Sequence, residues 1–295
     1  MRGKFSRVLM AFALPFTLVA LEMDSFSPII DVTVADQGMD SPVLMLTATD
    51  QKLETVPPPE KKVVVCDYLH RFQIGGNYTY AWITPKGNMT TRGSLGGAQG
   101  IYEYRPYGGV YAGAAFSYRI GNTTRTGGSR EIQDFNTQGR IGYTLPVMKK
   151  FGRFALYSGF GGRYMPEQVK LGTATLDFRY TTFYVPVGLA YERWLTKNFS
   201  IGANFQWLPQ VFPMVRIVPL DGAQWDLKDQ FGNFFVEVPF MITSCSGKFA
   251  FTINPFFEIW RDGHSTAETL TGLKLDLPKN KYTFTGINVN FAFSF

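Results

Sequence analysis

Thr285-Gly286-Ile287-Asn288-Val289-Asn290-Phe291-Ala292-Phe293-Ser294-Phe295 reads as a single β-strand with two unlike faces. Ile287, Val289, Phe291, Phe293 and Phe295 fall on one face, and Gly286, Asn288, Asn290, Ala292 and Ser294 on the other. Successive side chains of a strand point to opposite sides, so a period of two separates an apolar from a polar face. The polar face is made of small and neutral residues. It carries too few Lys and Glu for a surface in bulk water. A soluble ligand-binding barrel would put its apolar face inside and charges outside.

The same texture fills the chain upstream. Phe72, Ile74, Gly76, Tyr78, Tyr80 and Trp82 alternate with Gln73, Gly75, Asn77, Thr79 and Ala81. Similar runs lie at 110–119, 135–145, 199–207 and 249–259. No segment after the first twenty or so residues holds a 3.6-residue helical period. Ten strands are predicted, at 70–82, 94–105, 108–120, 131–146, 153–165, 175–192, 199–208, 231–243, 249–260 and 282–295. The connections alternate in length. Long ones are expected at 83–93, 121–130, 166–174, 209–230 and 261–281, and tight ones at Pro106-Tyr107, Val147–Gly152, Arg193–Asn198 and Ser244–Lys248. The expected fold is all-β, a transmembrane up-and-down antiparallel β-barrel of about ten strands. In lipid a closed barrel satisfies every backbone donor and acceptor and leaves no edge.

Composition agrees. Of 295 residues 16% are aromatic and 18% charged. That is too aromatic for a disordered chain. A mean hydropathy of −0.05 excludes a polytopic helical membrane protein, yet it fits an average over two opposite faces.

The N-terminal segment is different. Arg2, Lys4 and Arg7 precede a short apolar run from Val8 to Leu21, the pattern of a secretory signal peptide over residues 1–21. Residues 22–68 form an acidic, Pro-containing linker, expected to be disordered and periplasmic, and residues 69–295 the barrel. Of the chain's net +6, the signal carries +3. Eight acids against Lys52 give residues 21–60 a charge of −7, which leaves +10 for residues 61–295.

The signal peptide, the alternating long and short connections and the final apolar strand ending on Phe295 resemble the bacterial outer-membrane β-barrel superfamily, in its OmpA-like and porin-family small barrels. That resemblance spans Arg71 to Phe295. It implies Sec export, residence in a Gram-negative-type outer membrane, and contact with its lipid and lipopolysaccharide. It also implies an assembly signal at Ile287, Val289, Phe291, Phe293 and Phe295, read by the barrel assembly machinery. The long loops, especially 209–230 with Asp221, Trp225, Asp226 and Asp229, are where an extracellular ligand would bind.

Register places Glu103, Arg105, Arg119, Asp134, Arg140, Arg163, Glu237 and Glu258 in the lumen. In a narrow barrel such groups pair into a polar plug; in a pore they set ion selectivity. Aqueous porins use ~16–18 strands, so a packed interior or narrow channel is expected over a general diffusion pore. Tyr80, Trp82, Tyr102, Tyr104, Tyr118, Tyr143, Tyr191 and Trp207 sit near strand ends, where amphipathic rings mark membrane interfaces.

Chemistry-bearing motifs are scarce, and no metal, cofactor, nucleic-acid partner or enzymatic activity is expected. One alternative stands. Asp262-Gly263-His264, with the strand count and length, resembles the omptin outer-membrane proteases and would make Asp262 and His264 hydrolytic. Glu131 and Asp134 do not reproduce the Asp pair of that family, and the Asp-x-His lies on the last loop, a departure from it. Cys66 and Cys245 both fall on the periplasmic side, an oxidising compartment. They form an intramolecular disulfide across the barrel base, or stay as free thiols or links to other chains.

Overall fold

The computed structural model describes residues 69–86, 90–126, 128–145, 152–171, 174–218, 224–228, 230–244, 246–268, 274–277 and 279–295. The signal peptide, the linker, both cysteines, Asp221 and Asp229 lie outside the described residues.

The described chain is a closed barrel of ten antiparallel staves. The first five staves are β1 (His70–Pro85), β2 (Thr91–Tyr104), β3 (Gly109–Arg125), β4 (Gly128–Leu145) and β5 (Arg153–Leu171). The sixth is β6 (Ala174–Tyr184) continued by β7 (Val187–Trp194), and the seventh is β8 (Phe199–Trp207) continued by β9 (Gln210–Ile217). A short β10 (Gln224–Asp226) pairs with β9. The eighth stave is β11 (Phe234–Glu237) continued by β12 (Phe240–Thr243). Then come β13 (Phe249–Asp262), a separate hairpin of β14 (Ser265–Glu268) and β15 (Lys274–Leu277), and β16 (Asn280–Ser294). Pairing of β1 with β16, from Arg71↔Ser294 to Pro85↔Asn280, closes the ring. His70 and Phe295 exchange backbone hydrogen bonds of 3.1 and 3.0 Å at one end, here the base. The opposite end is the rim.

Three staves are broken at Val185-Pro186, Leu208-Pro209 and Val238-Pro239, because proline has no N–H to give the ladder. Neighbouring carbonyls repair the gaps: Val185 N donates to Pro209 O, Leu208 N to Asn233 O and Val238 N to Pro255 O. On β9, Phe212 has a φ of 55° where the register with β6 shifts. This bulge changes which residues face inward. Asn204 and Gln206 are buried below it, and Val215 and Ile217 above it.

The outer face is apolar and exposed, with Ile141 at 60% and Phe160 at 58%. Such a continuous patch belongs against hydrocarbon, not water. Toward the rim the belt ends at aromatic residues. On β3, Tyr118 and Ile120 give way to Asn122 and Thr124; on β5, Tyr164 gives way to Gln168 and Lys170.

The strands exceed expectation. β3, β4 and β5 run 17, 18 and 19 residues, where ~9–11 suffice to span a bilayer. The segments expected as long loops at 83–93, 121–130 and 166–174 are therefore mostly strand. Their outward residues face water beyond the belt, so the apolar alternation that signals a strand fades there although the ladder continues. The loop expected at 209–230 contains β9 and β10, and Trp225 is only 4% exposed, packed inside. It is a core residue and not the surface contact expected of it.

Candidate functional site

The barrel interior is the candidate site, and it is filled in layers. At the base, Glu192 of β7 forms ion pairs with three arginines: Arg71 at 3.1 Å, Arg105 at 3.5 Å and Arg153 at 3.8 Å. Arg105 also donates to the carbonyls of Ala190 and Arg153. Above lies a polar layer. Gln99 donates to Asn290, Asn290 to Thr252 and Thr252 to Gln73, linking four strands. Tyr111 donates to Glu103, Tyr157 to Asn204 and Asn204 to Glu237. The Arg140 guanidinium lies 5.4 Å from the centre of the Tyr157 ring. That ring lies over Gly188, where a Cβ would stand 2.4 Å from it; only glycine admits this approach.

The central layer carries four charges with no net sum. Asp134 of β4 accepts from Arg119 (Nη2, 2.6 Å) and Arg163 (Nε, 2.7 Å). Arg119 reaches across the bore to Glu258 of β13 at 2.8 Å. Glu258 also accepts from the Trp260 indole N–H. Arg163 stacks 4.6 Å over Trp260, and Arg119 lies 4.6 Å over Phe284. Each charge has an opposite partner, the condition under which burial in low dielectric is tolerable.

Above the ion pairs the interior is apolar. Ile83, Leu95, Ile132, Met165, Val215, Trp225, Leu227, Trp260, Tyr282 and Phe284 form one buried cluster. The small, neutral inward face read from the final strand gives way in this half to large apolar side chains. The bulge at Phe212 and the inward aromatics of β13 and β16 fill the rim half as the core of a soluble protein is filled. A further polar pair crosses the bore here: Glu167 of β5 takes Arg130 at 2.5 Å and the Tyr282 hydroxyl of β16 at 3.0 Å.

What space remains is small. Cavities of about 70 and 60 Å³ lie in the base half, enough for a few waters at ~30 Å³ each. A larger one of about 230 Å³ lies at the rim.

Apolar outer belt, closed ladder and filled bore together define the architecture. The chain has the fold of the outer-membrane β-barrels. No known family matches its sequence, and neither does any curated protein. Solved structures similar to it include the outer membrane protease OmpT of Escherichia coli, at 9% identity and a TM-score of 0.49, covering 79% of this chain and 98% of that one. Ail, the attachment invasion locus protein of Yersinia pestis, is 10% identical with a TM-score of 0.36, covering 76% and 98%. The toluene transporter TodX of P. putida is 9% identical with a TM-score of 0.33, covering 77% and 90%.

Of the eight lumen charges named from sequence, Arg119, Asp134, Arg163 and Glu258 meet in one network, and Arg105 belongs to the base cluster. Glu103, Arg140 and Glu237 occupy the layer between. The sequence reading missed Arg71, Arg153, Glu192, Arg130 and Glu167. The signal was present: Gly188, Ala190 and Glu192 share a face, as do Arg163, Met165 and Glu167. Glu167 lies two residues past the predicted end of strand five at residue 165, within β5.

Tyr80, Trp82, Tyr102, Tyr104, Tyr118, Tyr143, Tyr191 and Trp207 stand on the outward face. Tyr80 and Trp82 pack edge to face at 4.7 Å, and Tyr102, Tyr104 and Phe295 surround His70 at the base. Asp262 and His264 do not share an environment. Asp262 ends β13 pointing inward at 4% exposure, whereas His264 is half-buried past the strand, its carbonyl accepting from Lys228 N. Among the described residues no cluster of His, Cys, Asp and Glu could hold a metal ion.

Proposed function

We propose that the protein is a non-enzymatic outer-membrane barrel that presents its projecting rim at the cell surface and does not conduct solutes. The observation that carries this reading is the Arg119–Asp134–Arg163–Glu258 layer, spanning the bore from β3 to β13 under a lid of Trp260, Phe284 and Tyr282. Moving an ion past it would strip partners from buried charges, which costs several kcal/mol per group. Sec export and delivery by the barrel assembly machinery, through Ile287, Val289, Phe291, Phe293 and Phe295, belong to the same reading. So does contact of the basic barrel with lipopolysaccharide phosphates. Strand extensions beyond the belt hold the rim clear of the headgroups, where an extracellular partner can reach it.

The deciding experiment is planar-bilayer conductance of the purified barrel. The expected result is a silent membrane at protein concentrations where an aqueous porin conducts. Discrete, reproducible steps would replace this reading with that of a narrow channel. Fractionation should place the chain in the outer membrane, with heat-modifiable migration on gels. A hydrolytic activity lost in His264→Ala would establish the hydrolase alternative instead.

A further inference from the structure

The rim cavity of about 230 Å³ has a composition unlike the rest of the interior. Its lining combines apolar side chains, among them Val215, Leu227 and Phe178, with the charged groups of Glu167, Arg130 and Asp262. Glu167 is satisfied, by Arg130 at 2.5 Å and the Tyr282 hydroxyl at 3.0 Å. Asp262 is not. Its carboxyl is 4% exposed and has no ion pair among the described residues; Tyr282 and Gln210 stand against it, yet Oδ2 completes no hydrogen bond. The nearby Arg163 is committed to Asp134. Buried carboxylate oxygens are nearly always paired, so an orphan lining a cavity marks a place for a donor from outside the chain. The remaining charged lining residue, Arg125, is half-buried at the rim, so a ligand's positive charge belongs at the deep, Asp262 end.

We propose that this cavity binds a small organic cation, an ammonium group on a compact apolar body. The ammonium would meet Asp262 Oδ2 and the body would lie against Leu227, Val215 and Phe178. The volume is below the ~300–1,000 Å³ of pockets for drug-sized molecules, which limits the body to about one ring or a short alkyl chain. This proposal is independent of conductance, because a blind cavity at the rim can fill whether or not the bore is closed.

The test is calorimetry or ligand-observed NMR on the full barrel in detergent micelles. Three probes of one shape are compared: 2-phenylethylamine, 2-phenylethanol and 3-phenylpropionate. Saturable binding of the amine is expected, about tenfold or more tighter than the alcohol, as befits a charge-assisted hydrogen bond, with the carboxylate weakest. Asp262→Asn should erase the amine's preference over the alcohol. Leu227→Trp should fill the cavity and abolish binding of all three probes. Heat-modifiable migration verifies that each variant folds, and the wild-type ranking stands alone if one does not. No saturable amine binding, or equal binding of amine and alcohol to wild type, overturns the proposal.

Discussion

The two halves of the barrel interior solve the same problem differently. The base half is polar and small-grained, with glycines against rings and one carboxylate shared by three arginines. The rim half is apolar and large-grained, and its buried charges are the central quartet, the Arg130–Glu167 pair and Asp262, the last three lining the rim cavity. The base half lies within the apolar belt, where lipid covers the outside and only the bore can take polar groups. The rim half reaches beyond the belt, where water wets the outer face. There the bore is the dry side, and it packs as a globular core does. The same ladder therefore hosts a wet interior at one end and a dry one at the other.

Asp134→Ala should produce the largest effect. It leaves Arg119 and Arg163 buried without their shared partner, and loss of one member of a buried pair costs about 3–5 kcal/mol. Urea titration followed by gel migration measures it. Next, Phe160→Arg places a charge on the lipid face and should cost about 2–4 kcal/mol when the barrel is refolded into vesicles. Gln168→Arg, on the same outward face of β5 but beyond the belt, should change stability by less than about 0.5 kcal/mol. Equal costs at the two positions would erase the boundary between the halves. Glu192→Gln should cost about 2 kcal/mol, since an amide oxygen still accepts but the charge assistance is lost. If it matches Asp134→Ala, the base cluster is as tightly buried as the central one and the contrast fails. The smallest change is expected from Arg71→Gln, less than about 1 kcal/mol, because Arg71 is the most exposed of the three arginines at 19% and the other two remain.

Much of the barrel was legible because its outer face is uniform. Every belt strand repeats apolar against small or polar, and a period of two survives even the proline breaks. Pro186 leaves Tyr184 and Gly188 on the same face. The rim was harder to read. Beyond Tyr118 and Tyr164 both faces carry mixed residues, so Arg125 and Glu167 look like loop positions although they belong to continuous strands. Trp225 sits in a stretch rich in Asp and resembles a solvent-facing anchor. Its burial depends on β10 pairing with β9, a contact that no local pattern announces.

The sequence by itself determined the two-faced strands, about ten of them, their closure into a barrel and eight of the charges turned inward. Those follow from side-chain alternation and from the demand that backbone groups in lipid be paired. Only the tertiary structure decided which charges meet. Arg119 and Glu258 are far apart in the chain and lie on opposite walls. Their meeting depends on the stagger of ten staves and the girth of the closed ring. These are properties of the whole barrel, and the same geometry leaves Asp262 facing an unfilled space.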